Sequence, residues 1–343
     1  MAAPALPASF TELRQLIAAM PGPDEAAAAK TRARDAQLTK PAGALGRLEE
    51  IAAWLAAWQG RHPPAVDHPR VSIFAGNHGV AARGVSAYPA EVTAQMVANF
   101  VAGGAAINQL CKQADADLRV YEMALDQPTH DFTVEPAMSE AECVQAMAYG
   151  MMAVEPGVDL LCLGEMGIGN TASAAALCLA LFGGTAMDWT GPGTGVVGSA
   201  LENKRAVVAA GAERHKDRRG DPLALLQCLG GQELAAIAGA VLAARLAHVP
   251  VLLDGYTGTA AAAVLHVLQP GLLDHCLVAH RSAEPGHERL LAAIGKRPLL
   301  DLDMRLGEGS GAALAIGIVK AAVACHTGMA TFGEASVSGK SAE

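Results

Sequence analysis

Apolar positions along this chain recur in two ways. Near the N-terminus they follow helical spacing: in GALGRLEEIAAWLAAW, Leu48, Ile51, Trp54, Leu55 and Trp58 fall on one face. The first sixty or so residues read as helices. A Pro- and His-rich stretch, GRHPPAVDHPR (60–70), reads as a linker. After it, short apolar runs alternate with helix-length connections. Six runs read as strands: VSIFAG (71–76), DLRVYEM (117–123), DLLCLGEM (159–166), VPVLLDG (249–255), HCLVAH (275–280) and PLLDLDM (298–304). Strands joined through helices imply an α/β fold with a parallel, doubly wound sheet. A small-residue run, AALAIGIVKAAVA (312–324), predicts a buried helix that packs back on the N-terminal helices. The expected division is a small helical domain of residues 1–62 plus 312–343 and a large α/β substrate-binding domain of 63–311. No internal repeat is visible, and the tail SVSGKSAE (336–343) reads as a frayed end.

Composition narrows the picture. A length of 343 residues allows one large domain or a large and a small one. Hydrophobic residues make up 52% and aromatics only 4%, so the core is built from Ala, Leu, Val and Gly. The formal net charge of −9 argues against nucleic acid or an anionic membrane as partner. It leaves an anionic small molecule open, because one Lys or one helix N-terminus suffices. None of the seven cysteines forms a CxxC pair, and most lie in apolar runs, which fits free thiols in a reducing cytoplasm. The start, MAAPALPASFTELRQL, lacks a basic segment followed by a long apolar one, so no signal peptide is expected. The longest uncharged stretch, Met166–Met187, holds Asn170, Thr171, Ser173 and four glycines, and reads as a loop plus a buried helix instead of a membrane span.

Most candidate strands end in a polar or Gly-rich motif. These are NHGVAARGVSAYP (77–89), GEMGIGNTASAAA (164–176), DGYTGTAAAA (254–263), HRSAEPGHER (280–289) and RLGEGSG (305–311). Five such motifs at one sheet edge would line a single crevice, where open α/β sheets bind ligands. In RLGEGSG, Glu308 is held between glycines at a strand-to-helix junction; a solvated Glu in a Gly-rich turn is the plainer alternative. In GEMGIGNT, Glu165 precedes Gly167, Gly169, Asn170 and Thr171 at a helix start, whose free N–H groups suit a phosphate. The alternative is a tight turn with Asn170 or Thr171 as helix cap. Lys204, in ENKRAVV after a Gly-rich loop, is either a phosphate ligand or a solvated surface residue. GPGTGVVG (191–198) lacks the GxGxxG spacing and follows only a weak strand, AMDWT, which disfavours a dinucleotide site. His78, His280 and His287 belong to no HxH, HExxH or Cys/His cluster, so no metal is expected. No GxSxG elbow occurs.

With these motifs in view, the chain resembles the nicotinate-nucleotide:dimethylbenzimidazole phosphoribosyltransferases, the CobT family of cobalamin lower-loop assembly. The resemblance rests on KPAGALGRLE (40–49), NHGV (77–80), GVSAYPAEVTAQMVANF (84–100), GGAAIN (103–108), GEMGIGNTASAAA, GPGTGV, ENK, PVLLDG, SAEPG and MRLGEGSGAALA. These follow the family order and span nearly the whole chain. The resemblance implies a homodimer with a Rossmann-like large domain and a small helical domain from both chain ends. It implies conversion of nicotinate mononucleotide and 5,6-dimethylbenzimidazole to α-ribazole 5′-phosphate and nicotinate, without cofactor or metal. Its catalytic base falls on Glu308, and a second site carboxylate on Glu165.

The residues suit that chemistry. The glycosidic nitrogen of the donor is already cationic, so its base leaves neutral without a general acid. One nitrogen of the incoming benzimidazole attacks C1′ while the other carries a proton that a carboxylate can accept. Attack from the opposite face gives the α linkage, and a second carboxylate can steady an oxocarbenium-like state or orient hydroxyls. The resemblance further places the phosphate and nucleotide on Gly167, Gly169, Asn170, Thr171, Lys204, Ser282, Gly286 and Gly307. It places the acceptor base against Tyr88, Gln95, Met96 and His78. Asn77 departs from the DHG of many members, and the Val85–Pro89 loop varies. Other acceptors (another benzimidazole, a purine or a phenol) and a catalytically inactive nucleotide-binding regulator are the alternatives.

Overall fold

A computed structural model describes residues 6–339. Five parallel strands form one sheet: β1 (Pro69–Ala75), β2 (Asp117–Glu122), β3 (Leu160–Met166), β4 (Val251–Leu253) and β5 (Cys276–Val278). Their order is β2-β1-β3-β4-β5. The chain steps from β1 to one side, then returns to β1's other side and winds outward. A doubly wound sheet of this order opens a crevice between the carboxyl ends of β1 and β3, where the winding reverses.

Alternation along the strands feeds two cores. Val71, Ile73, Leu160, Cys162 and Leu252 face a layer built from the helices Arg47–Gln59, Ala106–Ala114 and Ser310–Gly328. Phe74, Leu161, Leu163, Val251, Leu253 and Val278 face a larger layer that includes the helices Glu140–Met151, Asn170–Phe182, Gln232–Leu246 and Tyr256–Leu268. Small residues allow unusually close packing there. A Cβ on Gly239 would lie 2.6 Å from the Met147 carbonyl carbon, and one on Gly150 would lie 2.5 Å from that of Ala236. Helices Glu140–Met151 and Gln232–Leu246 therefore meet backbone to backbone. All seven cysteines are free and six are buried. Burial pushes the Cys111, Cys178 and Cys276 thiols up to about 12.

The N-terminal helices are Phe10–Ala18, Glu25–Asp35 and Arg47–Gln59, the first two capped by Ser9 and Asp24. The two ends of the chain meet. Leu38 bridges Thr331, and the Arg34 guanidinium donates to the carbonyls of His326 and Met329. Ser310–Gly328 is the one helix among the described residues long and apolar enough to cross a membrane by length and composition. Here its Ala312, Ala315, Ile316 and Val319 are buried against the sheet. Residues 340–343 of the tail lie outside the described residues.

Three sequence expectations are corrected. PLLDLDM is not a buried strand: its residues are half-buried or exposed, and only Leu300 bridges His280. Leu299 and Leu300 donate to the carbonyls of Val278 and Ala279, but Asp303 turns to φ 54° and the segment leaves the sheet edge. β1 begins inside the expected linker, at Pro69, a first-strand position where the missing N–H is tolerated. AMDWT holds a helical turn, Ala186–Trp189, instead of a weak strand.

Candidate active site

A cavity of about 730 Å³ opens at the carboxyl ends of the strands. All five motifs supply part of its wall or support. The GEMGIGNT loop forms the floor. Gly169 takes φ +99° and caps Asn170–Phe182 without a side chain, so neither Asn170 nor Thr171 is the cap. Gly167 must lack a side chain, because a Cβ would lie 2.6 Å from the Gly76 carbonyl oxygen. Gly167, Ile168, Asn170 and Thr171 of this loop and helix start line the cavity, while the Ile168 N–H donates to Thr93 Oγ1 and the Asn170 N–H to the Gly167 carbonyl.

Glu165, near the end of β3, lines the cavity and is 9% exposed. Asn170 Nδ2 donates to its Oε2. Burial, reinforced by Asp254 and Glu233, pushes its carboxyl up to about 8, against the Asn170 bond. Glu308 lines the same cavity and is 6% exposed. Its φ is +63°, between Gly307 at +80° and Gly309 at +72°. Three successive left-handed residues are costly for a side-chain-bearing position and hold only where surroundings enforce them. The Glu308 N–H donates to the Glu165 carbonyl at 3.2 Å, and Ser310 Oγ donates to the Gly307 carbonyl at 2.7 Å. Burial and the Asp254 charge push the Glu308 carboxyl up to about 7.

A cationic side follows from the fifth motif and the GPGTGVVG loop. Arg305 Nη1 donates to the Gly193 carbonyl at 2.8 Å, and the Gly193 N–H donates to Glu284 Oε1 at 2.8 Å. Burial raises the Glu284 carboxyl, opposed by Lys204. Lys204 is fully buried and lies behind the wall. Its Nζ donates to Thr171 Oγ1 at 2.8 Å and to the Gly191 carbonyl at 3.1 Å, and burial pulls it down to about 8.

Of the residues singled out in the sequence, Glu165, Glu308, Gly167, Asn170, Thr171, Ser282, Gly307, Tyr88 and Met96 line the one cavity. Gly169, Lys204, Gly286, Gln95 and His78 do not. Gly286 packs against the Trp189 carbonyl and the Tyr256 hydroxyl, and Gln95 points outward as an exposed residue. His78 sits beneath the floor, its Nε2 2.6 Å from Glu233 Oε1, both side chains buried. Asn77 donates to the Leu125 carbonyl, away from the cavity. The Tyr88 loop is tied across the mouth, where Thr194 Oγ1 meets Ser86 Oγ at 2.9 Å and accepts from the Ala87 N–H at 3.0 Å. Sequence reasoning weighed His280 only as a metal ligand and did not separate out Asp254, Glu284 and Arg305, although each lies in a motif already marked as a strand end. Among the described residues no three His, Cys, Asp or Glu side chains converge as metal ligands would.

Comparison with known proteins agrees with this layout. A family model described as phosphoribosyltransferase matches residues 20–337. A nicotinate-nucleotide–dimethylbenzimidazole phosphoribosyltransferase of Sinorhizobium medicae is 60% identical over 340 residues, covering 99% of this chain and all of the relative. One of Allorhizobium ampelinum is 61% identical over 328 residues, covering 96% of each. The crystal structure of the Thermus thermophilus enzyme of that name superposes with a TM-score of 0.85 at 42% identity, covering 92% of this chain and all of that one. From sequence, fold and cavity together, the chain belongs to the nicotinate-nucleotide–dimethylbenzimidazole phosphoribosyltransferase family.

Proposed function

We propose that this enzyme transfers the phosphoribosyl group of nicotinate mononucleotide to 5,6-dimethylbenzimidazole, releasing nicotinate and forming α-ribazole 5′-phosphate. The observation that carries this reading is that Glu165 and Glu308 line one cavity whose floor is a helix N-terminus. The donor phosphate sits on the Gly167–Thr171 backbone, with Ser282 beside it. Lys204 acts from behind the wall, fixing Thr171 and adding positive charge. Val92, Met96, Leu306 and the Tyr88 ring give the mouth an apolar wall suited to a flat aromatic acceptor.

Glu308 takes the proton from the acceptor's second nitrogen as the first attacks C1′. A base poised near neutrality suits that transfer, because it is free at working pH yet still basic. Glu165 steadies positive charge at C1′. The cationic pyridinium of the bound donor favours its charged form, offsetting the burial that raises its proton affinity.

The helices of both chain ends, 1–62 with 312–343, form the small domain, supported by the Leu38–Thr331 bridge, and 63–311 forms the large one. The enzyme works as a cytoplasmic homodimer. Tyr88 and Leu306, which line the cavity, are each 56% exposed, apolar surface that a second copy would cover.

Mixing the purified protein with both substrates and separating the products by chromatography tests the reaction. Nicotinate and α-ribazole 5′-phosphate should appear in equal amounts, and absence of released nicotinate would refute the reading.

A further inference from the structure

Two of the cavity's supports, Asp254 and His280, meet outside the two glutamates. Asp254 directly follows β4 and is 1% exposed. Its Oδ1 accepts from the Ala312 N–H at 2.9 Å. The helix Ser310–Gly328 begins after Gly309, which has no side chain to cap it. Asp254 therefore supplies the cap from another element, at the turn that immediately follows Glu308. The same oxygen lies 3.8 Å from His280 Nε2, and His280, at the end of β5, is also 1% exposed. Asp254 Oδ2 and both His280 ring nitrogens have no hydrogen-bond partner among the described residues. The His280 ring is wedged against two backbones: a Cβ on Gly311 would lie 2.7 Å from its Nε2, and one on Gly255 3.1 Å. Such packing fixes the ring beside the carboxylate.

We propose that Asp254 is the positioning residue of Glu308: it anchors the left-handed turn that carries the base, and its negative charge, countered by His280, opposes loss of the proton from Glu308. The inference rests on Glu308 being the base of the transferase reaction.

The charges facing this pair come from each neighbouring element. Glu165 and Cys162 face Asp254 from β3, His280 from β5, and Glu308 from the turn before the long helix. Glu233 acts on Glu165 from beneath the floor. Arg305, Glu284 and Lys204 act on one another across the far wall. Burial raises the Asp254 carboxyl, while His280 and the N–H groups of Ala312, Gly311 and Gly309 lower it. The Asp254 charge acts on Glu308 in the same direction as burial.

Two substitutions at this position separate anchoring from charge. Asp254→Asn keeps an oxygen for the Ala312 N–H and removes the charge, whereas Asp254→Ala removes both. Turnover with nicotinate mononucleotide and 5,6-dimethylbenzimidazole, measured across pH, should show the acid limb of kcat in Asp254→Asn displaced to lower pH by on the order of one unit. Asp254→Ala should have a lower kcat than Asp254→Asn at every pH. His280→Gln, which removes the counter-group, should displace the limb the opposite way and serves where an Asp254 variant fails to fold. An acid limb unmoved in Asp254→Asn, or in His280→Gln, overturns the proposal. Carbon-13 titration of the glutamate carboxyls without substrate, with Glu308 assigned by Glu308→Gln, reads the same displacement without turnover. A wild type that releases no nicotinate thus defeats the transferase reading alone, while an unmoved Glu308 signal in Asp254→Asn defeats this one.

Discussion

The backbone N–H of Glu308 donates to the backbone carbonyl of Glu165 at 3.2 Å, tying the turn before the last long helix to the end of β3. Two carboxylates from distant parts of the chain therefore share one rigid frame. Their protonation is linked as well, since Glu308 raises the affinity of Glu165 for its proton. Burial, Asp254 and Glu233 act on Glu165 more strongly in the same direction.

Replacing Glu308 by Gln keeps the size and the backbone frame but removes the proton acceptor. Turnover should fall at least about a hundredfold, the range expected for loss of one general base. Binding of nicotinate mononucleotide should stay close to that of wild type, because the substitution leaves the Gly167–Thr171 floor proposed for the donor phosphate untouched. Calorimetric titration with the donor, beside steady-state kinetics, checks both. Turnover like wild type would remove Glu308 from the role of base.

Glu165 predicts a pH-dependent stability. Its carboxyl titrates at about 8 in the folded protein, against 4.5 ordinarily. Between those values the folded chain keeps a proton that the unfolded chain releases. Stability therefore falls as pH rises through this window and levels off above about 8. Glu308, at about 7, adds to the fall in the lower part of the window. Glu165→Gln removes its share. Its stability relative to wild type, read by thermal unfolding, should rise steadily from pH 5 to pH 8, reaching a gain on the order of a few kcal/mol. A difference that stays flat over that range would mean that Glu165 ionises like an exposed carboxylate.

Much of this site can be read from the chain because the α/β plan converts sequence order into place. A motif at the end of any parallel strand arrives at the same edge, so Glu165 and Glu308 could be brought together before any coordinates were known. What escaped depends on depth. Lys204 and His78 belong to the right motifs, but their side chains run behind the wall and beneath the floor, where Thr171 and Glu233 occupy them. Asp254 and His280 sit in motifs marked as strand ends, yet their importance comes from contact with Ala312 and Gly311, far along the chain. PLLDLDM misled because apolar residues beside Asp301 and Asp303 can follow a sheet edge for two hydrogen bonds without becoming a strand.

Gly164 offers the sharpest test of the frame. It lies inside β3, paired in register with Ile73, a position where glycine normally weakens a strand. Its reason for being there is the Glu308 turn: a Cβ would lie 2.7 Å from Gly309 Cα and 2.8 Å from the Glu308 carbonyl carbon. Both are backbone atoms and cannot rotate away. Gly164→Ala should therefore destabilise the protein by about 1–3 kcal/mol, the usual range for overpacking a tight interior. It should also push the base off its position, lowering kcat at least about tenfold, since small misplacements of reacting groups are expensive. The KM for nicotinate mononucleotide should change less, because the phosphate floor begins at Gly167. Gly258→Ala is the matched control. That glycine is also buried, in the helix Tyr256–Leu268, but a Cβ there meets only the Leu163 carbonyl oxygen, at 3.8 Å. It should be neutral or stabilising by up to about 1 kcal/mol, as expected for Gly→Ala inside a helix. Thermal unfolding and kinetics of the two variants decide the matter: equal behaviour would show that the close approach of β3 to the Glu308 turn does not govern catalysis.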